Sequence, residues 1–161
     1  MPDNQGPSVS HEELLAGHAF SEGMSPDEIA QVAKCVLGVT RFQPDDVILR
    51  TGNPADRCFL ITVGDVALEA HSPGSGPRII QTVNAGEVLG WSWMFPPYRV
   101  SFDARALTPT EAVVLDGAAL RECAARNVEL GYHVMSRVAR IVVDRLQATR
   151  LQLLDMYANP S

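Results

Sequence analysis

Gly86-Glu87-Val88-Leu89-Gly90-Trp91-Ser92-Trp93-Met94-Phe95-Pro96-Pro97, running on through Tyr98-Arg99-Val100-Ser101 into Phe102-Asp103-Ala104-Arg105-Ala106, is the stretch that decides the fold. Two glycines bound a loop, a one-turn helix fits after it, and a return strand follows. In that strand Phe102, Ala104 and Ala106 share one face, and Ser101, Asp103 and Arg105 the other.

Upstream of this stretch the pattern is first helical. Residues 1–10, with Pro2, Gly6 and Pro7, read as a flexible arm. Leu14, Leu15 and Phe20 can dock a short helix. Ser25, Pro26 and Glu28 then spell a capping box with proline at the first helical position. Ile29, Val32, Ala33 and Val36 recur on one face, and Gly38 offers a stop, so helices are expected over 11–37.

Between 39 and 115 the period falls to two. Val47 and Leu49 alternate, as do Phe59, Ile61 and Val63, then Val66, Leu68 and Ala70. Gly52-Asn53-Pro54, Gly64-Asp65 and the turn beginning Pro73-Gly74 separate them. Ile79, Ile80 and Val83, then 102–107 and 112–115, supply further strands. Roughly eight short strands without intervening helices describe a mainly β fold, an antiparallel β-barrel or jelly roll. Helical patterning returns over 118–157, first as a short helix and then as a long one without proline. One domain over 11–161 accommodates all of this.

A charge of -6, 20% charged residues and 46% apolar residues describe a globular chain and disfavour a phosphate-backbone binder. No window reaches the length of a membrane span, and the first residues lack a signal peptide's apolar core, so a cytoplasmic location is expected. Cys35, Cys58 and Cys123 lie far apart and suit buried thiols in a reducing compartment. His11, His18, His71 and His133 fall in separate elements, so no catalytic metal is expected, and no nucleophile–base set supports an enzyme.

The glycine-bounded loop, one-turn helix and return strand resemble the ligand cassette of the cyclic nucleotide-binding domain family, whose sensor domains occur in Crp/Fnr-like regulators. Gly86-Glu87, Gly90, Met94, Ser101, Ala104 and Ala106 match its pattern without an insertion, and Gly64-Asp65 matches a glycine turn upstream. The resemblance implies a small barrel with a long C-terminal helix, and a cyclic phosphate held by backbone amides at a short helix. It also implies a glutamate that receives the ribose 2′-hydroxyl and an arginine that neutralises the phosphate. Those positions are Trp91 and Val100. Tryptophan accepts no such bonds and valine carries no charge, so altered or lost cAMP and cGMP binding is expected.

Candidate ligand-binding residues are Gly86, Glu87, Gly90, Trp91, Ser92, Trp93, Arg99 and Ser101. Arg99 is the candidate clamp for a phosphate or carboxylate. Trp91, Trp93, Phe95, Tyr98 and Phe102 either line a pocket for another small anionic or aromatic ligand or fill the nucleotide's place. Glu87 is expected to lie at the surface or bond backbone, and Arg105 to pair with Asp103 or face solvent.

On the long helix Met135, Val138, Val142, Leu146, Thr149 and Leu153 form one seam, with Val134, Ile141 and Ala148 beside it. A homodimer through Met135, Val138, Val142, Leu146 and Leu153 is expected. Relatives that bind DNA follow this helix with a helix-turn-helix module of roughly 70 residues. This chain ends four residues after Tyr157, so direct nucleic-acid binding is not expected. A regulatory or interaction domain is the leading reading, with a small-ligand sensor using Arg99, or a structural homodimer with a filled pocket, as alternatives.

Overall fold

A computed structural model describes residues 9–74 and 76–158. Residues 1–8 of the expected arm lie outside that range, whereas the hydroxyl of Ser10 accepts from Glu13 N at 3.1 Å and caps the first helix. That helix, α1 (His11–Ala16), and a single 3-10 turn (Ala19–Ser21) bury Leu15 and Phe20. In α2 (Pro26–Ala33) both halves of the capping box form, Ser25 N donating to Glu28 Oε1 and Glu28 N to Ser25 Oγ. The helix stops four residues earlier than the expected 37. Val36 opens a strand instead, and Gly38 sits within that strand at φ +146 beside a register shift, so its backbone freedom serves a bulge.

Eight strands follow: β1 (Val36–Phe42), β2 (Val47–Leu49), β3 (Arg57–Val63), β4 (Asp65–Ser72), β5 (Gly76–Asn84), β6 (Val88–Leu89), β7 (Asp103–Ala106) and β8 (Thr110–Asp116). They do not close into the barrel expected from sequence. One sheet has the order β1-β8-β3-β6 and the other β2-β7-β4-β5, each with two free edges. All named pairings are antiparallel. The physical reason is a division of the interior into two cores. Phe59, Ile61, Ala112 and Val114 of the first sheet pack against Val66, Leu68, Val83 and Ala104 of the second. On the first sheet's other face, Cys58, Leu60, Val113 and Leu115 pack under the helices with Leu15, Phe20, Val32, Trp93 and Leu120. Strands β3 and β8 are therefore buried on both faces, which requires a two-layer sandwich with a third, helical layer.

Gly64, in the β3–β4 turn, shows how tightly the layers meet. Its φ is +95, and an added Cβ would lie 2.4 Å from Pro109 O, so only glycine fits. After β8, Asp116 caps α3 (Gly117–Arg126), and α4 (Val128–Ala158) runs back across the molecule. Leu130, Val134 and Val138 anchor α4 in the helical core. Further along it touches β5, where Gln152 Nε2 donates to Ile79 O at 3.3 Å. Among the described residues, no helix is long and apolar enough to cross a membrane.

Candidate functional site

The cassette starts where β6 ends. Gly90 takes φ +98, turning the chain so that Trp91 precedes a 3-10 turn over Ser92–Met94. Trp93 Nε1 donates to Gly90 O at 3.0 Å, closing the turn on itself. The indole of Trp93 is 1% exposed and packs in the helical core against Gly117, where an added Cβ would meet Trp93 Cβ at 2.6 Å. Trp93 thus braces the cassette, and it also borders the cavity. Trp91 is half-buried at the rim, edge-to-face with Phe95 at 6.4 Å.

Beside this turn lies a cavity of about 30 Å³, bordered by Gly90, Trp91, Ser92, Trp93, Val100, Ser101, Phe102, Arg57 and Arg145, with Leu49, Leu68 and Leu89 behind. Ser92 Oγ and Ser101 Oγ are 3.5 Å apart across it. Pockets that enclose a small organic ligand run to roughly 300–1,000 Å³. This cavity is about a tenth of that range or less. Val100 is buried in the wall, and the ring of Phe102 meets Arg145.

Arg145 was not among the residues singled out from sequence as ligand contacts. It projects from α4, is 7% exposed, and donates from Nη1 to Gln81 Oε1 at 2.7 Å. Its guanidinium lies 5.6 Å from the Phe102 ring centroid, and its Nε has no hydrogen-bond partner. No carboxylate lies within ion-pairing distance of it among the described residues, nor does one border the cavity. Burial holds its pKa down, from 12.5 to about 10, with the fields of Glu87 and Asp144 opposing. A sequence signal existed. Positions 134, 138, 141, 145 and 148 share the inward face of one helix, so Arg145 interrupts an otherwise apolar stripe.

The remaining expected residues divide into groups. Gly90, Trp91, Ser92, Trp93 and Ser101 all border the cavity. Gly86 and Glu87 do not; they border a second cavity of about 160 Å³ between the cassette and α4, whose wall Arg145 shares. Glu87 serves backbone, its Oε1 accepting from Asn84 N at 3.0 Å and its carbonyl from Ile61 N. Arg99 is exposed, with Nη1 3.5 Å from Gly52 O, and borders neither cavity. The cation stacked on Tyr98 is Arg121, 4.1 Å from the ring centroid, which also donates to Trp93 O. Arg105 pairs with Glu69 and Asp45, each at 2.7 Å, and not with Asp103. Asp103 instead accepts from Thr51 N, which with nearby His71 and Arg50 lowers its pKa.

Two further placements bear on the expectations. Cys35 and Cys58 are buried thiols whose pKa burial pushes up to about 12, although Cys35 Sγ lies 3.7 Å from Cys123 Sγ despite their separation in sequence. On α4, Met135, Val142, Leu146 and Leu153 are exposed, but Val138 is 1% exposed and belongs to the chain's own core.

The cyclic nucleotide-binding domain family matches residues 39–127, more than half of the 161-residue chain and all of the cassette. A solved structure of a putative cyclic nucleotide-binding protein from Geobacter metallireducens superposes with a TM-score of 0.73 at 29% identity, covering 86% of this chain and 99% of that one. A cyclic nucleotide-binding domain from Methylobacillus flagellatus gives 0.71 at 26% identity over 81% of this chain and 73% of its own. The CRP-like cAMP-activated global transcriptional regulator of Mycobacterium tuberculosis is 26% identical over 145 residues, 90% of this chain. The chain spans 62% of that regulator's length. The family's members are non-catalytic sensor and regulatory domains. With its fold, its glycine turns and its cassette in register, this chain belongs to the cyclic nucleotide-binding domain family.

Proposed function

We propose that the chain is a regulatory domain whose cassette takes a small anionic group on Arg145, and whose recognition of cAMP and cGMP is altered by Trp91 and Val100. One observation carries the reading. A buried guanidinium with an unpartnered Nε borders a cavity lined by two arginines, two serine hydroxyls and no carboxylate. An uncompensated buried charge is costly, and an anion is the partner that relieves it. Ser92 and Ser101 supply neutral donors opposite, and the donor-rich start of the 3-10 turn adds to the same field. The cavity of about 30 Å³ suits an inorganic-sized anion as it stands. A larger ligand requires Trp91 to swing aside and Arg145 to move toward the second cavity.

Occupancy has a route out through α4, because Arg145 is part of that helix. We infer that the helix meets a second copy of the chain through Met135, Val142, Leu146 and Leu153. Their spacing of seven, four and seven is that of a two-helix seam, and all four are exposed. Val138 is excluded from that seam by its burial. The regulator from Mycobacterium tuberculosis is named as cAMP-activated, and the test begins there. Calorimetric titration of protein verified by mass spectrometry to carry no ligand, with cAMP, cGMP and inorganic phosphate, should give no cyclic-nucleotide Kd tighter than about 1 μM. A tighter value for either nucleotide overturns the reading.

A further inference from the structure

We propose that Glu28, Glu129 and His133 form a binding site for a divalent transition-metal cation, with zinc as the type, that ties α2 to the start of α4. None of the three borders the cassette cavity, so the site is separate from the one described above.

Glu129 and His133 stand four residues apart on α4 and so share one helical face. Glu28 reaches them from α2. Candidate ligand atoms of the three side chains lie within 4.8 Å of one another. Oxygen and nitrogen ligands bind zinc at roughly 2.0–2.2 Å, so atoms sharing one ion stand at most about 4.4 Å apart. Glu28 Oε2 and His133 Nε2, 3.8 Å apart, already stand within that reach, and Glu129 contributes from an exposed position.

The independent indication is the state of Glu28. It is 6% exposed, and its Oε1 is spent on the capping box of α2. Its Oε2 is buried without any hydrogen-bond partner and lies 3.8 Å from His133 Nε2, beyond hydrogen-bond range. A buried carboxylate oxygen is expensive to leave unmatched. A protonated imidazole at 3.8 Å answers it weakly and leaves Glu129 unused. A cation seated among the three satisfies Oε2, uses Glu129, and leaves room for water on the exposed side. One imidazole and two carboxylates select zinc and its neighbours over magnesium or calcium, which prefer all-oxygen ligands.

The test is calorimetric titration of the chelator-treated chain with Zn²⁺, with Co²⁺ as a spectroscopic probe. The expected result is a single equivalent bound with a Kd of about 10 μM or tighter. Glu28→Gln, which keeps the cap oxygen, and His133→Ala should each weaken binding by roughly tenfold or more. At one fixed Zn²⁺ concentration that saturates the parent, the thermal midpoint should rise more in the parent than in these variants. Should His133→Ala fail to fold, Glu129→Gln, altered only at an exposed side chain, takes its place with the same expectation. The proposal is overturned by no saturable binding, or by binding that all folded variants retain. A thiolate-to-cobalt charge-transfer band that disappears in Cys35→Ser also overturns it, since the ion would then belong to the Cys35–Cys123 pair.

Discussion

Replacing Arg145 with methionine should leave the stability of the ligand-free protein nearly unchanged while removing its capacity to bind an anion. Burial brings the arginine pKa from 12.5 to about 10, which corresponds to about 3 kcal/mol against the charged form. The sign follows from which form is disfavoured. The folded-state pKa of this base lies below its unfolded value, so the cost is present in full at neutral pH. It is relieved only as pH rises through about 10. Methionine fills the volume of the arginine stem without the charge. Against that stand the charge-assisted bond to Gln81 Oε1, worth about 1.5–3 kcal/mol, and the contact with Phe102, worth about 0.5–1 kcal/mol. The two sides balance to within about 1 kcal/mol, or roughly 2–4 °C in thermal midpoint for a domain of this size. Urea and thermal unfolding of parent and Arg145→Met, each verified free of ligand, measure it. A variant less stable than the parent by about 2 kcal/mol or more would refute the reasoning. The guanidinium would then be a structural group already satisfied, and not one held in wait.

Trp93→Ala should cost about 3–5 kcal/mol by emptying the space under α3, whereas Trp91→Ala, at the rim, should cost about 1 kcal/mol; urea denaturation separates them, and equal losses count against Trp93 as the brace. Leu146→Lys should convert a dimer to a monomer in sedimentation at micromolar concentration with its strand signature intact, and a parent that is monomeric throughout removes the second-copy reading. His18 is buried, with Nδ1 accepting from Phe20 N and Nε2 donating to Ile61 O, and burial lowers its pKa below 6.5. Its neutral form is the folded one, so stability should fall as pH drops below about 6.5, where the unfolded chain takes up the proton first. Comparing urea midpoints at pH 7.5 and about 5.5 should show a smaller drop in His18→Gln, and an unchanged drop assigns the effect elsewhere.

Sequence reading reached the elements more readily than their closure. Ser25, Pro26 and Glu28 specify a helix start by local chemistry alone, and Ser25 forms the expected cap. Alternation and short apolar runs placed six of the eight strands, all but β1 and β6, because each needs only its own pattern. Barrel and sandwich share that period, and the difference lies in which edges pair. The clue was the unbroken apolar runs Cys58-Phe59-Leu60-Ile61 and Ala112-Val113-Val114-Leu115, which mark strands covered on both faces. Val36 misled because an apolar residue at helical spacing also suits the first position of a strand. In the cassette, the family pattern singled out Gly90 and Ser101, and both border the cavity with Ser92. Arg145 was not, because a charged side chain on a long helix is ordinarily taken to face solvent. Glu28 was legible as a cap and not as a carboxylate with a second, unmatched oxygen.

The geometry of α4 joins these observations into one physical argument. Val134 and Val138 lock its first half into the helical core, while its second half is held by half-buried Ile141 and Ala148, by the Arg145 contact with Phe102, and by hydrogen bonds from Arg145 and Gln152 to Gln81 and Ile79 of β5. The first half is therefore anchored by full apolar burial, and the second by shallower packing and polar contacts on the rim of the cassette. A ligand can bias the helix only through a difference in its affinity for two positions of that half. The proposed anion would supply such a difference, because the unpartnered Nε of Arg145 is left unmatched in one position of the helix and answered in the other. Leu146, the next residue, is 67% exposed, so any displacement that re-aims Arg145 also re-aims a side chain of the proposed seam. Anion occupancy and helix pairing are then linked by adjacent residues on one rigid element. Linkage requires that each change the other's affinity by the same factor. Leu146→Lys should accordingly shift the Kd for an anion in the cassette even though residue 146 does not border it, and an unchanged Kd in a confirmed monomer would show the two faces of α4 to be independent.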